Sequence, residues 1–250
     1  MSEQRIWTAG LVVIGDEILS GRTVEANLSY LARWLNSHGV RLREGRIVAD
    51  EEADIIAAVN ALRARYDYVF TTGGIGPTHD DITAAAIAKA FGVPLTPQPQ
   101  AVALLNAYYG DKITPRRLRM ALMPEGASLV PNKSAGAPGF RIGNVIVLAG
   151  IPAVMRAMLE SLSETIAGGA PVLSRTIAAY VAESEIAPVL EAVQAAHKAV
   201  MLGSYPSFKG GRVGAAFVLR GTDEAAIERA AQDLVARIRA HGIEPIMGEL

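Results

Sequence analysis

The chain has 250 residues, half of them hydrophobic, which suffices for one large or two small domains with a substantial core. Its 24 Lys and Arg against 25 Asp and Glu leave a formal net charge of -1, which argues against a nucleic-acid-binding protein. The lack of cysteine excludes disulfides, thiolate metal sites and a cysteine nucleophile, and the lack of a signal peptide or bilayer-length apolar stretch predicts a cytoplasmic protein without a membrane partner.

Strand and helix patterns alternate through the first two thirds of the chain. The predicted strands are residues 9–14, 40–48, 68–70 and 144–148. The predicted helices are residues 27–37, a stretch from an Asp50 cap to Leu62, 83–90, 98–109, 115–120 and 152–166. This rhythm predicts a three-layer α/β/α fold with a mostly parallel sheet. In such folds, ligands bind beyond the carboxyl ends of the strands.

A second domain is predicted after a Gly- and Pro-containing linker at residues 168–171. The predicted order is strand 174–180, helix 184–196, strands 200–204 and 212–219, helix 223–241 and strand 243–247. This βαββαβ order is typical of a small α+β domain. The sequence therefore predicts one domain over residues 1–168 and another over residues 172–250.

The most informative stretch is residues 71–83, TTGGIGPTHDDIT, which we call the glycine loop. It joins a predicted buried strand to a predicted helix. Glycines let backbone N–H groups approach a ligand closely, and a helix start favours anions, so this joint predicts phosphate binding. Asp80 and Asp81 would repel a bare phosphate, which indicates a bridging metal or proton transfer. Alternatively, these aspartates only cap the helix, and His79 either contacts a phosphate or is an exposed loop residue.

Other candidate residues follow the remaining predicted strands. Gly15, Asp16 and Glu17 come after the first strand and are either site carboxylates or a solvated turn. Asn27 either pairs with a ligand through its amide or caps a helix. Asp50 either takes part in catalysis or favours a helix start through the dipole.

Two further loops are candidates for ligand contact. Lys133 supplies a positive charge for a diphosphate, or is an ordinary surface lysine. Gly150 and Pro152 form a turn into the last helix of the first domain, where proline is well tolerated.

The glycine loop resembles the Thr-Thr-Gly-Gly-x-Gly loop of the molybdopterin-binding superfamily, to which MoaB and Mog belong. Its Asp-Asp-x-Thr ending resembles the CinA branch, the competence/damage-inducible proteins. Residues 15–21, 132–139 and 149–155 also resemble CinA segments, and the second domain resembles their KH-like domain. The chain departs from the CinA pattern at Ala135, Gly136, Ala149 and Val154. The resemblance implies a short form without the C-terminal deamidase domain, and therefore no deamidase activity.

The resemblance implies a metal-dependent nucleotide pyrophosphatase that releases AMP from ADP-ribose or FAD-like dinucleotides. The implied catalytic residues are Asp81, Asp50 and Asp80, and the implied metal ligands are Asp81, Asp50 and Glu17, with Mg²⁺ expected and Mn²⁺ or Co²⁺ as alternatives. The ligand-binding residues would be Gly15, Asp16, Glu17, Asn27, Thr72, Gly73, Gly74, Gly76, Pro77, Thr78, Lys133, Gly150 and Pro152.

Two other functions stay open from the sequence. One is molybdopterin or molybdenum-cofactor binding or adenylyl transfer, because the glycine loop is shared with that class. The other is a non-catalytic nucleotide-binding module, which Val154 and the change at Ala135 and Gly136 favour. A homodimer or higher homo-oligomer is expected by resemblance. The second domain lacks a basic Gly-x-x-Gly loop, so packing or self-association is expected of it rather than nucleic-acid binding.

Overall fold

The computed structural model describes residues 5–132 and 136–250. It divides into two compact units, with the boundary between Gly169 and Ala170. Lys133, predicted to contact a diphosphate, and Ala135, one of the departures from the CinA pattern, lie outside the described residues.

A six-stranded sheet forms the centre of the first unit. The strands of this unit are β1 (Trp7–Ile14), β2 (Val40–Val48), β3 (Tyr68–Thr72), β4 (Leu95–Pro97), β5 (Leu122–Pro124), β6 (Ser128–Val130), β7 (Gly139–Ile142) and β8 (Val145–Leu148). The sheet order is β2-β1-β3-β8-β7-β6, in which the first four strands are parallel and the last two join antiparallel. Strands β4 and β5 form a separate antiparallel pair.

Local sequence signals set the ends of several helices of this unit. The helices are α1 (Asp16–Leu19), α2 (Asn27–Ser37), α3 (Glu52–Arg63), α4 (Thr83–Phe91), α5 (Pro99–Tyr109), α6 (Pro115–Leu118) and α7 (Pro152–Leu162). Helices α5, α6 and α7 begin with proline. Proline is tolerated there because an N–H in the first turn of a helix has no hydrogen-bond partner within the helix. Helix α4 ends at Gly92, which adopts the left-handed conformation that glycine tolerates best.

Helices cover both faces of the sheet. Successive apolar side chains of β1 point to opposite faces, so each face needs helices to bury it. Leu11 and Val13 face a core shared with α2 and α7, whereas Val12 and Ile14 face a core shared with α3 and α4. Each fully buried aliphatic side chain contributes on the order of 1.5–3 kcal/mol, so these two cores hold the strand ends firmly in place.

The second unit is a four-stranded antiparallel sheet with two helices. Its elements are β9 (Leu173–Ala179), α8 (Glu183–Ala196), β10 (Met201–Lys209), β11 (Arg212–Gly221), α9 (Glu224–Ala240) and β12 (Ile246–Met247). The strand order is β10-β11-β9-β12. Phe217 and Leu219 pack with Ile186 and Leu234 in a core of its own.

The predicted fold class is confirmed, with a mostly parallel sheet, helices on both faces and a small α+β unit. The sequence did not reveal β4 to β7, because these strands of three or four residues are too short to show a period and, unlike the four-residue β8, are not continuous apolar runs of Val, Ile and Leu. Helix α7 ends at Leu162 rather than at the predicted Ile166. Within the described residues, no helix is long and apolar enough to cross a membrane.

Candidate functional site

Four loops meet at one edge of the sheet of the first unit. They follow the carboxyl ends of the neighbouring parallel strands β2, β1, β3 and β8. The predicted site residues of the described chain lie in these loops or directly beside them, at the edge where parallel sheets bind ligands.

Four carboxylates, which we call the acidic cluster, gather after β1, β2 and β3: Asp16, Glu17, Asp50 and Asp80. Asp50 Oδ2 accepts a hydrogen bond from the backbone N–H of Asp16 at 2.9 Å, and Asp16 Oδ1 accepts one from the N–H of Asp50 at 3.4 Å. Burial raises the pKa of Asp50, and the negative charges of the other three members raise it further. Negative charge is therefore concentrated where the loops meet.

The prediction that Asp50, Asp80 or Asp81 caps a helix is wrong. Glu51 occupies the N-cap position of α3 and Ile82 that of α4, and neither position makes a side-chain capping hydrogen bond. Asp50 instead joins the loop after β1 to the loop after β2.

Asp81 holds the glycine loop in its shape. Its Oδ1 accepts from the N–H of Gly76 at 2.6 Å, and its Oδ2 accepts from the N–H of Thr78 at 2.7 Å and from the Thr78 hydroxyl. Charge-assisted bonds of this kind are stronger than neutral ones. Asp81 therefore keeps Gly76, Pro77 and Thr78 in one conformation.

The glycines of the site allow backbone segments to approach closely. Gly73 has a φ of 107°, and a Cβ there would lie 2.0 Å from the carbonyl oxygen of Ile14. A Cβ on Gly150 would lie 3.2 Å from Gly73 Cα, and one on Gly74 would lie 2.2 Å from Thr83 Oγ1. The Thr83 hydroxyl donates to the Gly73 carbonyl at 2.9 Å. These contacts join the loops after β1, β3 and β8.

Two buried polar side chains beside these loops have oxygen atoms without a hydrogen-bond partner in the described chain. Asn27 is the first residue of α2 rather than its cap, and its amide donates to the carbonyl oxygen of Gly150 at 2.8 Å. Asn27 Oδ1 and Thr72 Oγ1 are buried and unpartnered. Buried polar atoms are usually satisfied, so both are candidates for contact with a ligand or a water molecule.

Positive charge lies on the other side of the glycine loop. Pro77, Thr78 and His79 of the glycine loop line a cleft of about 620 Å³ together with Thr114, Arg116, Arg117 and Arg119. We call this the arginine cleft. Arg119 also lines a smaller cavity of about 110 Å³ next to Gly74, Gly76 and Asp81. The sequence signal for the arginine cleft is the basic run that follows Pro115.

The donor set of the acidic cluster is suited to a hard divalent cation. Within residues 5–132 and 136–250, no three His, Asp or Glu side chains are grouped closely enough to hold a metal alone. However, Mg²⁺ is usually held by one or two carboxylates, with water and substrate phosphate completing its coordination. Asp16 and Asp50, whose side chains each accept a hydrogen bond from the other's backbone N–H, could supply two such carboxylates.

Two departures from the CinA pattern have a structural reason. Val154 is buried in the core on the α2 and α7 side of the sheet. Gly136 lies against the Tyr108 and Tyr109 rings, and a Cβ there would come within 2.7 Å of the Tyr109 ring. A larger residue at position 136 would therefore require both tyrosines to move.

Comparison with known proteins identifies the family of the first unit. The model of the "Probable molybdopterin binding domain" matches residues 10–168, more than half of the chain. The chain belongs to this family. Residues 171–246 match the model of the FAD synthase middle domain.

Similar proteins show that the chain is a CinA-like member of this family. CinA from Thermoplasma acidophilum, whose crystal structure is described as that of a protein with unknown function, is 35% identical in sequence to this chain. It covers 63% of this chain and 96% of its own, with a TM-score of 0.60. A CinA-like protein from Anaeromyxobacter dehalogenans is 35% identical over 60% of this chain and 38% of its own length. A protein from Pyrobaculum arsenaticum is 35% identical over 94% of this chain and 93% of its own.

Proposed function

We propose that this protein is a metal-dependent nucleotide pyrophosphatase that cleaves ADP-ribose or FAD-like dinucleotides and releases AMP. The observation that carries the proposal is the acidic cluster beside the glycine loop, with the reciprocal Asp16–Asp50 hydrogen bonds at its centre. A small-molecule nucleotide or pterin ligand agrees with the molybdopterin-binding family, and a flavin dinucleotide agrees with the FAD synthase match of residues 171–246.

Each group at the site has a role in this proposal. Asp16 and Asp50 would hold Mg²⁺, or Mn²⁺ or Co²⁺, together with water and phosphate oxygens, and the cation would neutralise charge on the phosphoryl group. Asp81 would keep the glycine loop in position beneath the diphosphate. The oxygen of a water molecule would bond to phosphorus, the anhydride P–O bond would break, and the proton of the water would pass to solvent. Positioning and charge neutralisation would dominate the rate.

The test is incubation of the purified protein with ADP-ribose and with FAD, with and without each cation, followed by chromatography for AMP. Cation-dependent release of AMP is the expected result. No AMP from either substrate with any of the three cations would contradict the proposal. Size-exclusion chromatography of the same sample tests the expected homodimer.

Molybdopterin binding is the second candidate function. It is supported by the family of residues 10–168 and by the unpartnered buried oxygens of Asn27 and Thr72, which can accept hydrogen bonds from the amino and ring N–H groups of a pterin. Titration calorimetry with molybdopterin and with ADP-ribose separates the two candidates. Binding of molybdopterin alone, without release of AMP, would favour this second function.

A further inference from the structure

The glycine loop separates two surfaces of opposite charge. His79 lines the arginine cleft, whereas the charge of the next residue, Asp80, acts on Asp50 in the acidic cluster. A ligand seated on the loop would therefore have a cation-binding surface on one side and a guanidinium-rich surface on the other.

Two of the three arginines have no partner of their own. Arg117 donates to the carbonyl oxygen of Lys112 and lies over the Tyr109 ring, 4.3 Å from its centroid. The side chains of Arg116 and Arg119 are exposed, and within the described chain neither side chain makes an ion pair or a hydrogen bond. Both therefore keep their full set of N–H donors for a ligand.

The volume and chemistry of the cleft define the kind of group that it fits. Its volume of about 620 Å³ lies within the range of small-molecule sites, about 300–1,000 Å³. Guanidinium groups match phosphate oxygens with paired hydrogen bonds, and they need no metal to do so. Three cations within four residues favour a dianionic phosphomonoester over a neutral sugar.

We propose that the arginine cleft is a metal-independent subsite for a phosphomonoester carried by the ligand in addition to its diphosphate. This inference rests on the proposed function, because the ligand must sit on the glycine loop. It predicts that a dinucleotide or an ADP-ribose derivative with an extra phosphate binds more tightly than its unphosphorylated counterpart.

The experiment compares ADP-ribose with ADP-ribose 2′-phosphate by titration calorimetry in EDTA, at constant ionic strength. In the wild-type protein, the 2′-phosphate derivative should bind at least about tenfold more tightly, because the extra phosphate accepts charge-assisted hydrogen bonds from the arginines. In Arg116→Ala/Arg119→Ala, the ratio of the two affinities should fall to near one. Arg33→Ala, which removes an exposed arginine of α2, is the matched control and should keep the wild-type ratio.

Three results would overturn the inference: equal affinities in the wild-type protein, no binding of the phosphorylated ligand, or a preference that survives the double substitution. Because both arginines are exposed and unpaired, the double variant should melt at the wild-type temperature, which checks its fold. The inference and the proposed function can fail separately. Arginine-dependent binding without AMP release would contradict only the pyrophosphatase proposal. AMP release without a preference for the extra phosphate would contradict only the phosphomonoester subsite.

Discussion

Asp50 and Asp81 have the same side chain but different surroundings. Asp81 accepts three hydrogen bonds from Gly76 and Thr78, so its oxygens are committed to the glycine loop. Asp50 accepts one backbone hydrogen bond, and burial, followed by neighbouring negative charges, raises its pKa. This difference leads us to place Asp50 among the cation ligands and to give Asp81 a supporting role.

The role of Asp81 can be tested by stability. Asp81→Asn keeps the size of the side chain but replaces one acceptor oxygen by a donor, which would face an N–H or hydroxyl donor of the loop. We expect a loss of about 1–3 kcal/mol in the free energy of unfolding, measured by urea denaturation. Asp111→Asn, at an exposed position of the same unit, is the control and should change stability by less than about 0.5 kcal/mol. Equal stability of the two variants would contradict the role of Asp81.

The sequence predicted the residue types of the site better than their surroundings. Asp50, Asp81 and Asn27 were each recognised, but whether they cap helices or join loops depends on contacts 5 to 123 positions apart. Local pattern does not contain that information. No local pattern places Arg119 at the site, because it follows α5 and α6 in the chain and lines the cavity beside Asp81 only through tertiary packing.

At the scale of elements, the site depends on the close approach of the loops after β1 and β3. Gly73→Ala would add strain at a φ of 107° and a clash with the Ile14 carbonyl, 2.0 Å from the new Cβ. We expect a loss of several kcal/mol, or failure to fold, seen in the urea midpoint. Gly92→Ala is the matched control because Gly92 also has a positive φ, 67°, but open space around its Cβ. It should cost only about 1 kcal/mol. Similar costs for both would show that the close approach does not matter.

In the second unit, Asp233 joins α9 to the end of α8. Its Oδ1 accepts from Arg237 at 2.8 Å, and its Oδ2 lies 3.1 Å from His197 Nε2. The hydrogen bond from Arg237, followed by that from His197, lowers the pKa of Asp233. Because the folded-state pKa is lowered, this contribution to stability is present above the ordinary aspartate pKa and is lost as pH falls through the folded-state value.

The lowered folded-state pKa of Asp233 leads to a prediction about stability and pH. Asp233→Asn should destabilise the protein by about 1 kcal/mol at pH 7 and by progressively less as the pH falls below about 4. Urea denaturation at several pH values measures both effects. Glu228→Gln, an exposed change on the same helix, is the control. A penalty for Asp233→Asn that stays constant down to pH 2.5 would contradict this interpretation.

Long elements were the easiest to predict. Helix α9 and strand β2 have enough residues to show their periods. Strands β6 and β7 have three and four residues, so their place in the sheet depends on pairing with neighbouring strands rather than on a sequence pattern. The antiparallel edge of the first sheet therefore emerged only in the structure.

At the scale of the whole molecule, each unit has its own hydrophobic core. The first unit contains two cores that cover both faces of its sheet, and the second contains one. We expect a fragment of residues 1–169 to unfold cooperatively and to bind ADP-ribose as the full chain does, because the site loops all belong to that unit. Circular dichroism on heating, with calorimetry, measures both properties. A fragment that fails to show a cooperative transition would contradict this expectation.

The measurement that tests the central claim most directly is the rate of AMP release from ADP-ribose at saturating Mg²⁺ in Asp50→Asn and in Asp54→Asn. Asp54 is an exposed aspartate in the first turn of α3, close in sequence but outside the acidic cluster. We predict that Asp50→Asn lowers the rate at least about 100-fold, because a charged group that positions the phosphoryl transfer is lost. Asp54→Asn should retain the wild-type rate. Equal rates in the two variants would show that the acidic cluster does not carry the reaction.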